Sequence, residues 1–265
     1  GVISRIFGSD KLKKIEFYGN KVPRKYFYKQ NALETVVLHG AVEIADLAFA
    51  NCRNLVTIKG LENIVAYGDY SFYNCCSIDE LAISNSCNRI GLGTFVGCDS
   101  LENISMPIVP FEIDNHITYK DVFGESGKRV VITKGNIPDQ YFLGASDVES
   151  IKISSNDINS IGEYAFSGCT KLETFVIPNT VDKIGKEIFS GCTNLTDLTL
   201  PYIGETRESI QPLSYLFGEN CSCGLKEIIV TSSIDLVSRI FSIATSLETI
   251  TFNSNVTTIP DECFY

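Results

Sequence analysis

The chain has no tryptophan and only two histidines, His39 and His116, among its 265 residues. Tryptophan is one of the residues that dominate protein–protein hot spots, so any binding surface here is built from other side chains. Two isolated histidines leave no histidine-based catalytic or metal-ligating constellation. The motifs G-x-S-x-G, H-E-x-x-H, the P-loop and the dinucleotide-binding G-x-G-x-x-G are all missing. The chain is therefore read as non-enzymatic, with no cofactor and no catalytic or metal site. No apolar run approaches the roughly 18 residues of a membrane-spanning helix, so direct membrane insertion is not expected. A formal net charge of −10 argues against nucleic acid as a partner.

What the sequence does contain is a repeat. F-x-x-C-x-x-L occurs at Phe49–Leu55, Phe95–Leu101, Phe166–Leu172 and Phe189–Leu195, with Ile in place of Leu at Phe72–Ile78. A period of about 23 residues is the signature of a solenoid. The unit reads L-x-x-I-x-I-P-x-x-V-x-x-I-G-x-x-A-F-x-G-C-x-x-L. Pairs such as Val36 with Leu38, or Ile151 with Ile153, alternate with period two, which predicts a short strand buried on one side. One such strand per coil predicts a right-handed, β-rich solenoid of about eleven coils with one parallel sheet along one face. Helix is expected only as short turns at Ala-Phe segments such as Ala165-Phe166. Gly91, Gly162 and Gly185 are read as sites of tight bending. Phe49, Phe95, Phe166 and Phe189 are expected to stack as an internal ladder.

Two longer coils, 101–129 and 195–224, interrupt the period. Their insertions resemble each other: Ile117–Gly124 is similar to Pro212–Gly218, and each places a tyrosine, Tyr119 or Tyr215, ahead of Phe-Gly. The Phe-Gly ends are expected to anchor in the core. The middles diverge, one apolar with Ile108 and Phe111, the other polar with Glu205, Arg207 and Glu208.

These residues resemble the BspA-type leucine-rich repeats of bacterial and protist cell-surface proteins. Ile161–Leu172 fits the segment IG-x-x-AF-x-GC-x-x-L throughout, and the resemblance runs from about Leu12 to Phe264. It implies one leucine-rich repeat solenoid over residues 1–265 and an extracellular or cell-surface location. Neither terminal coil carries a polar cap, so a fragment of a longer protein is expected.

Ten cysteines invite a disulfide reading. Cys52, Cys75, Cys98, Cys169 and Cys192 share one repeat position, however, and are read as buried, reduced and close to a turn carbonyl. Cys263 reads as a small buried hydrophobe. Cys221 and Cys223 sit on a loop, and no second pair with zinc-like spacing accompanies them. Residues 1–30 carry eight basic side chains against two acidic ones. Two readings stay open: a solvated first coil, or a basic site for a polyanion or acidic protein.

With the fourth and sixth positions of each unit buried, the fifth faces out. Tyr18, Val37, His39, Lys59 and Lys152 are the candidate partner-binding residues on and beside that row. Ile108, Phe111, Glu205, Arg207 and Glu208 are the candidates in the insertions, since loops on a rigid scaffold commonly carry function. The function expected is a protein-binding or adhesion module directed at a host or neighbouring-cell surface protein. The alternative is a rigid spacer holding another domain away from the cell.

Overall fold

A computed structural model describes residues 5–6, 8–109, 117–219, 224–254, 256 and 258–264. The chain divides into two compact units, residues 1–133 and 134–265. Both are stacks of short parallel strands joined by tight turns.

The strands of the first unit are β1 (Lys14–Tyr18), β2 (Lys21–Val22), β3 (Thr35–His39), β4 (Glu43–Ile44), β5 (Thr57–Lys59), β6 (Ala66–Tyr67), β7 (Glu80–Ala82), β8 (Arg89–Ile90), β9 (Asn103–Pro107) and β10 (Arg129–Lys134). The front of each coil is the period-two strand. In β3, Val36 and Leu38 are buried while Val37 between them is half-buried. β1 pairs in parallel with β3, Lys14 opposite Thr35 through Tyr18 opposite His39, and β3 pairs with β5. The return path forms a second parallel ladder, β2-β4-β6-β8. The period predicts one sheet. The extra ladder arises because Val22, Ile44, Tyr67 and Ile90 all bury at the same place in successive coils, which aligns their backbones.

The second unit holds β11 (Ser150–Ile153), β12 (Ser160–Ile161), β13 (Thr174–Val176), β14 (Lys183–Ile184), β15 (Asp197–Leu200), β16 (Glu227–Val230) and β17 (Thr249–Phe252). β13, β15, β16 and β17 form one front sheet, and β12 pairs with β14 behind. The fold is a parallel β-solenoid with little helix.

The aromatic ladder forms in both units. Phe27, Phe49, Phe72, Phe95 and Phe123 stack at centroid spacings of 5.1, 5.1, 5.6 and 5.2 Å. Phe142, Phe166 and Phe189 stack at 5.7 Å, and Phe217 lies 5.6 Å from Phe189. Burying each ring contributes about 1.5–3 kcal/mol, so the ladder is a main cohesive element.

The Ala-Phe segments are turns, not helix. The residue two before each closing Phe is left-handed, as at Leu47 (φ 56), Tyr164 (φ 55) and Glu187 (φ 52). So is the residue two after it, as at Asn51 (φ 62) and Gly168 (φ 77). This double reversal aims the Phe amide at the next coil: Phe49 donates to the Ser71 carbonyl at 2.8 Å and Phe166 to that of Ile188 at 3.0 Å.

Gly91, Gly162 and Gly185 do not bend the chain through positive φ, contrary to the reading above. Their role is close approach. A β-carbon on Gly91 would lie 2.6 Å from the Asp69 backbone nitrogen, and those on Gly162 and Gly185 would collide with the backbone of Asp139 and Glu163.

Helix appears in the long coils, as α1 (Tyr119–Phe123) and α2 (Ser214–Phe217). Thr118 caps α1, its backbone N–H donating to Asp121 Oδ2 at 2.8 Å. Each helix replaces the usual turn: the carbonyl of Val122 accepts from Phe95 and that of Leu216 from Phe189, both at 2.9 Å. Phe123 and Phe217 thereby stay on the ladder. The tyrosines are not equivalent. Tyr119 precedes its ladder Phe by four residues and donates to the Gly127 carbonyl. Leu213 holds the matching place in the other coil, while Tyr215, two residues before Phe217, donates to the Ile184 carbonyl.

Candidate functional site

The candidate residues of the front faces fall into separate groups. Tyr18 and His39 are cross-strand neighbours on β1 and β3, and their rings stack at 4.3 Å and 7°. Tyr18 is 73% exposed. Glu16 lies beside the pair, 3.2 Å from the Tyr18 hydroxyl and 3.3 Å from His39 Nε2, and Lys14 Nζ is 2.8 Å from its other oxygen. The hydrogen bond from Lys14, followed by that from His39, holds the Glu16 carboxyl below the usual carboxylate range. Val37 is opposite Glu16 in the register. Together these make a small exposed platform, aromatic on top and acidic at the side. Glu16 was only one polar member of the outward row in the sequence; its centrality comes from the β1–β3 register.

Lys59 is exposed on β5 and lines a groove of about 790 Å3 that reaches β7 and β9. In the second unit, Lys152 is exposed on β11.

The entries to the insertions are buried, not protruding. Met106 and Val109 in one, and Tyr202 and Ile203 in the other, are fully enclosed. Thr133 donates to Asn85 Oδ1 across the first entry and Thr231 to Asn179 Oδ1 across the second. Ile108 is half-buried, and Phe111 and His116 lie outside the described residues. Glu205 sits 3.7 Å from Lys183 Nζ, and its carbonyl accepts from the Ile184 amide at 2.8 Å, extending β14. Arg207 lies over the Tyr202 ring at 5.3 Å and donates to Ser232, Asp182 and the Asn179 carbonyl. It ties the insertion to its neighbouring coils. Glu208 is exposed.

Part of the basic charge of the first coil is paired along the stack. Lys13 meets Glu34 at 2.9 Å, Lys21 meets Glu43 at 2.7 Å and Arg24 approaches Asp46 at 4.0 Å. Lys29 and Lys25 lie over the Tyr28 ring at 5.3 and 6.0 Å. These pairings favour the solvated-coil reading over a polyanion site.

The repeat-locked cysteines are free and buried. Each donates to the carbonyl of the previous coil's ladder Phe: Cys52 to Phe27 at 3.1 Å, Cys75 to Phe49 at 3.2 Å, Cys98 to Phe72 at 3.4 Å, Cys169 to Phe142 at 3.4 Å and Cys192 to Phe166 at 3.2 Å. Burial pushes the Cys52 and Cys98 thiols up to about 12 and raises Cys169 further. Cys221 and Cys223 lie outside the described residues. Among the described residues, no group of three or more His, Cys, Asp or Glu could hold a metal ion, and no helix is long and apolar enough to cross a membrane.

A second set of repeat-locked side chains escaped the sequence reading. Asp46 Oδ1 accepts the Asp69 amide at 3.1 Å, Asp69 Oδ1 the Leu92 amide at 3.0 Å, and Asp139 Oδ1 the Glu163 amide at 2.8 Å. The signal was an acid two places after some of the return-strand apolar residues, as in Ile44-Ala45-Asp46, Tyr67-Gly68-Asp69 and Ile137-Pro138-Asp139.

A stack of parallel strands, a one-per-coil Phe ladder and a buried thiol recurring at one repeat position define a leucine-rich repeat solenoid. The sequence matches the BspA type leucine rich repeat region in six copies, over residues 20–120 and 135–265, and the chain belongs to that family. No curated protein matches it by sequence. Among solved structures, a leucine-rich repeat protein from Bacteroides ovatus ATCC 8483 is similar over 88% of this chain and 57% of its own, at 21% identity and a TM-score of 0.54. A T. pallidum leucine rich repeat protein is similar over 64% of this chain and 79% of its own, at 21% identity and a TM-score of 0.48. A leucine rich cell surface protein from Faecalibacterium prausnitzii A2-165 is similar over 91% of this chain and 79% of its own, at 17% identity and a TM-score of 0.34. The likeness to the Bacteroides structure is one of fold. The chain spans 57% of the length of the Bacteroides protein.

Proposed function

We propose that the chain is a non-enzymatic protein-interaction module of a secreted or cell-surface protein, and that its front strands carry the contact residues. The observation that carries the reading is the exposed Tyr18–His39 stack flanked by Glu16 and Lys14. An aromatic pair held rigidly at a sheet surface, with a polar rim, is the composition of an interface anchor. Family membership supports the same reading, and the surface location rests on that membership. An adhesive role toward a host or neighbouring cell is the specific form proposed.

The test uses the purified chain and a variant carrying Tyr18→Ala and His39→Ala. Both are presented to intact cells and to fractionated surface proteins, with bound protein cross-linked and identified by mass spectrometry. The expected result is a defined protein partner captured by the parent chain and lost from the variant, with unchanged melting temperature. A partner captured equally by both removes the front platform from the reading. No partner on any surface fraction overturns the module in favour of a rigid spacer.

A further inference from the structure

The front sheet of the first unit is split between two coils of ordinary length. β1-β3-β5 form one sheet, and β7 pairs onward with β9, yet β5 and β7 are not paired. Behind them β6 and β8 remain hydrogen-bonded, Ala66 opposite Arg89, so the coils part only at the front. Gly60 stands at the end of β5. It is left-handed (φ 94) and packs so tightly on the preceding coil that a β-carbon would strike the Leu38 carbonyl oxygen. A 3-10 turn over Leu61–Asn63 follows at once. The end of β5 is thus packed directly on β3.

The opening leaves two strand edges facing each other. The Thr57 amide bonds back to the Glu34 carbonyl at 3.1 Å, so in a parallel ladder the amide and carbonyl of Ile58 point the other way, into the gap. On the far bank the Ile83 amide bonds to Ser105 at 2.8 Å, which turns the backbone groups of Glu80 and Ala82 toward the gap. Unpaired edges are templates for another strand. The two banks also carry a charge pattern. Leu55 and Ile78 open the two coils, which aligns Thr57 with Glu80, Ile58 with Leu81 and Lys59 with Ala82 in successive rows. The first and third rows face out, and the middle row is apolar. Neither Lys59 nor Glu80 has an ion-pair partner among the described residues.

We propose that this split binds an extended peptide segment of a partner protein as an added strand, parallel to β5 and β7. Its side chains read Lys or Arg beside Glu80, then an apolar residue over the Ile58–Leu81 row, then Asp or Glu beside Lys59. Opposite charges on neighbouring strands favour this order and like charges oppose the reverse. The inference rests on the protein-interaction reading but uses a different surface from the Tyr18–His39 platform.

The probe is the peptide acetyl-Thr-Val-Lys-Val-Glu-Val-Thr-amide, with acetyl-Thr-Val-Glu-Val-Lys-Val-Thr-amide as its charge-reversed control. Amide exchange of the intact chain is followed by NMR at Ile58, Glu80 and Ala82. In the free chain these three amides should exchange much faster than those inside β3. The first peptide should slow all three, and it should bind about tenfold more tightly than the control. Glu80→Lys, at an exposed position, leaves a lysine in both charged rows and should abolish that preference, and adding Lys59→Glu should invert it. Protection of the three amides in the free chain would show that the strands close on each other and would overturn the proposal. Protection that grows with protein concentration would assign the gap to a second copy and overturn it too. So would binding that spares these amides, or a preference that is absent, reversed or unmoved by Glu80→Lys. In each of those cases the Tyr18→Ala/His39→Ala test of the interaction reading still stands; if that test fails instead, the peptide arm reports on the split independently.

Discussion

The two long coils keep their front strands paired, whereas two junctions between ordinary coils, β5–β7 and β11–β13, do not. In the second unit β15 pairs with β16 across the insertion of 201–224, Asp197 opposite Glu227 through Leu200 opposite Val230. In the first unit β9 and β10 remain neighbours across 108–128. The breaks fall between β5 and β7 and between β11 and β13, whose coils have the regular length. Coil length therefore does not decide whether a solenoid's sheet is continuous. Extra chain is harmless when it is absorbed, as the buried Tyr202 and Ile203 and the helix carrying Phe217 show. At the first break stands Gly60, left-handed and packed against Leu38.

The largest expected effect tests what the two regions share. Phe49 and Phe166 are both fully buried between ladder neighbours. Changing either to Ala should destabilise the chain by about 3–5 kcal/mol. Because solenoid stability is close to a nearest-neighbour sum, the lost hydrogen-exchange protection should concentrate in coils adjoining the substitution. The split behind Phe72 should not shield either site, since β4-β6-β8 and the ladder pass across it unbroken. Uniform loss along the chain would sink the local account.

A smaller effect separates the two uses of glycine. Gly185→Ala forces a β-carbon onto the backbone of Glu163 and should cost about 1–3 kcal/mol, as overpacking does. Gly60→Ala should cost at least as much, because left-handed strain of about 1–2 kcal/mol adds to the clash with the Leu38 carbonyl oxygen. It should also push β5 off Leu38 and toward β7, slowing amide exchange at Glu80 and Ala82. Thermal melts give the first number and exchange rates the second. Gly60→Ala with unchanged exchange at Glu80 would mean that the glycine does not cause the opening.

The sequence announced whatever repeats. Val36 and Leu38, the ladder Phe and the Phe–Cys spacing recur often enough that each copy confirms the others, and burial enforces them. What stayed illegible depends on single backbone choices. Leu47, Tyr70 and Glu187 occupy one left-handed position with no shared side-chain type, so no letter marks it. Gly91 and Gly185 look like bend glycines but answer to the coil next door. Arg207 looked like a free recognition charge, and only the fold brings Tyr202, Asp182 and Ser232 around it. The Tyr18–His39 stack needed the β1–β3 register, 21 residues apart from Lys14 to Thr35, and the contact between Gly60 and Leu38 beside the β5–β7 split needed the fold.

The smallest predicted effect concerns the thiols, and it is a slope with pH. Thiols ordinarily ionise near 9.0, and burial moves Cys52 to about 12. The folded chain thus holds a proton that the unfolded chain releases in this range. Stability from this group is complete below about pH 9 and is lost as pH rises toward 12. Cys98 acts in the same direction, also from about 12. The buried hydroxyls of Tyr67 and Tyr202 are pushed up by burial as well, so alkaline destabilisation of the parent chain is a sum. Cys52→Ala isolates one contribution. It removes a thiol whose hydrogen bonding, as to the Phe27 carbonyl, is weak, so melting at pH 7 should change little. Between pH 9 and 10.5 the variant's melting temperature should fall less steeply than the parent's. Native labelling with a thiol reagent at pH 8 should leave Cys52, Cys75, Cys98 and Cys169 slow, and denaturation should release them all. Equal slopes for parent and variant, with rapid native labelling of Cys52, would show that this thiol is not held protonated in the core, and that the Phe–Cys rung opens in solution.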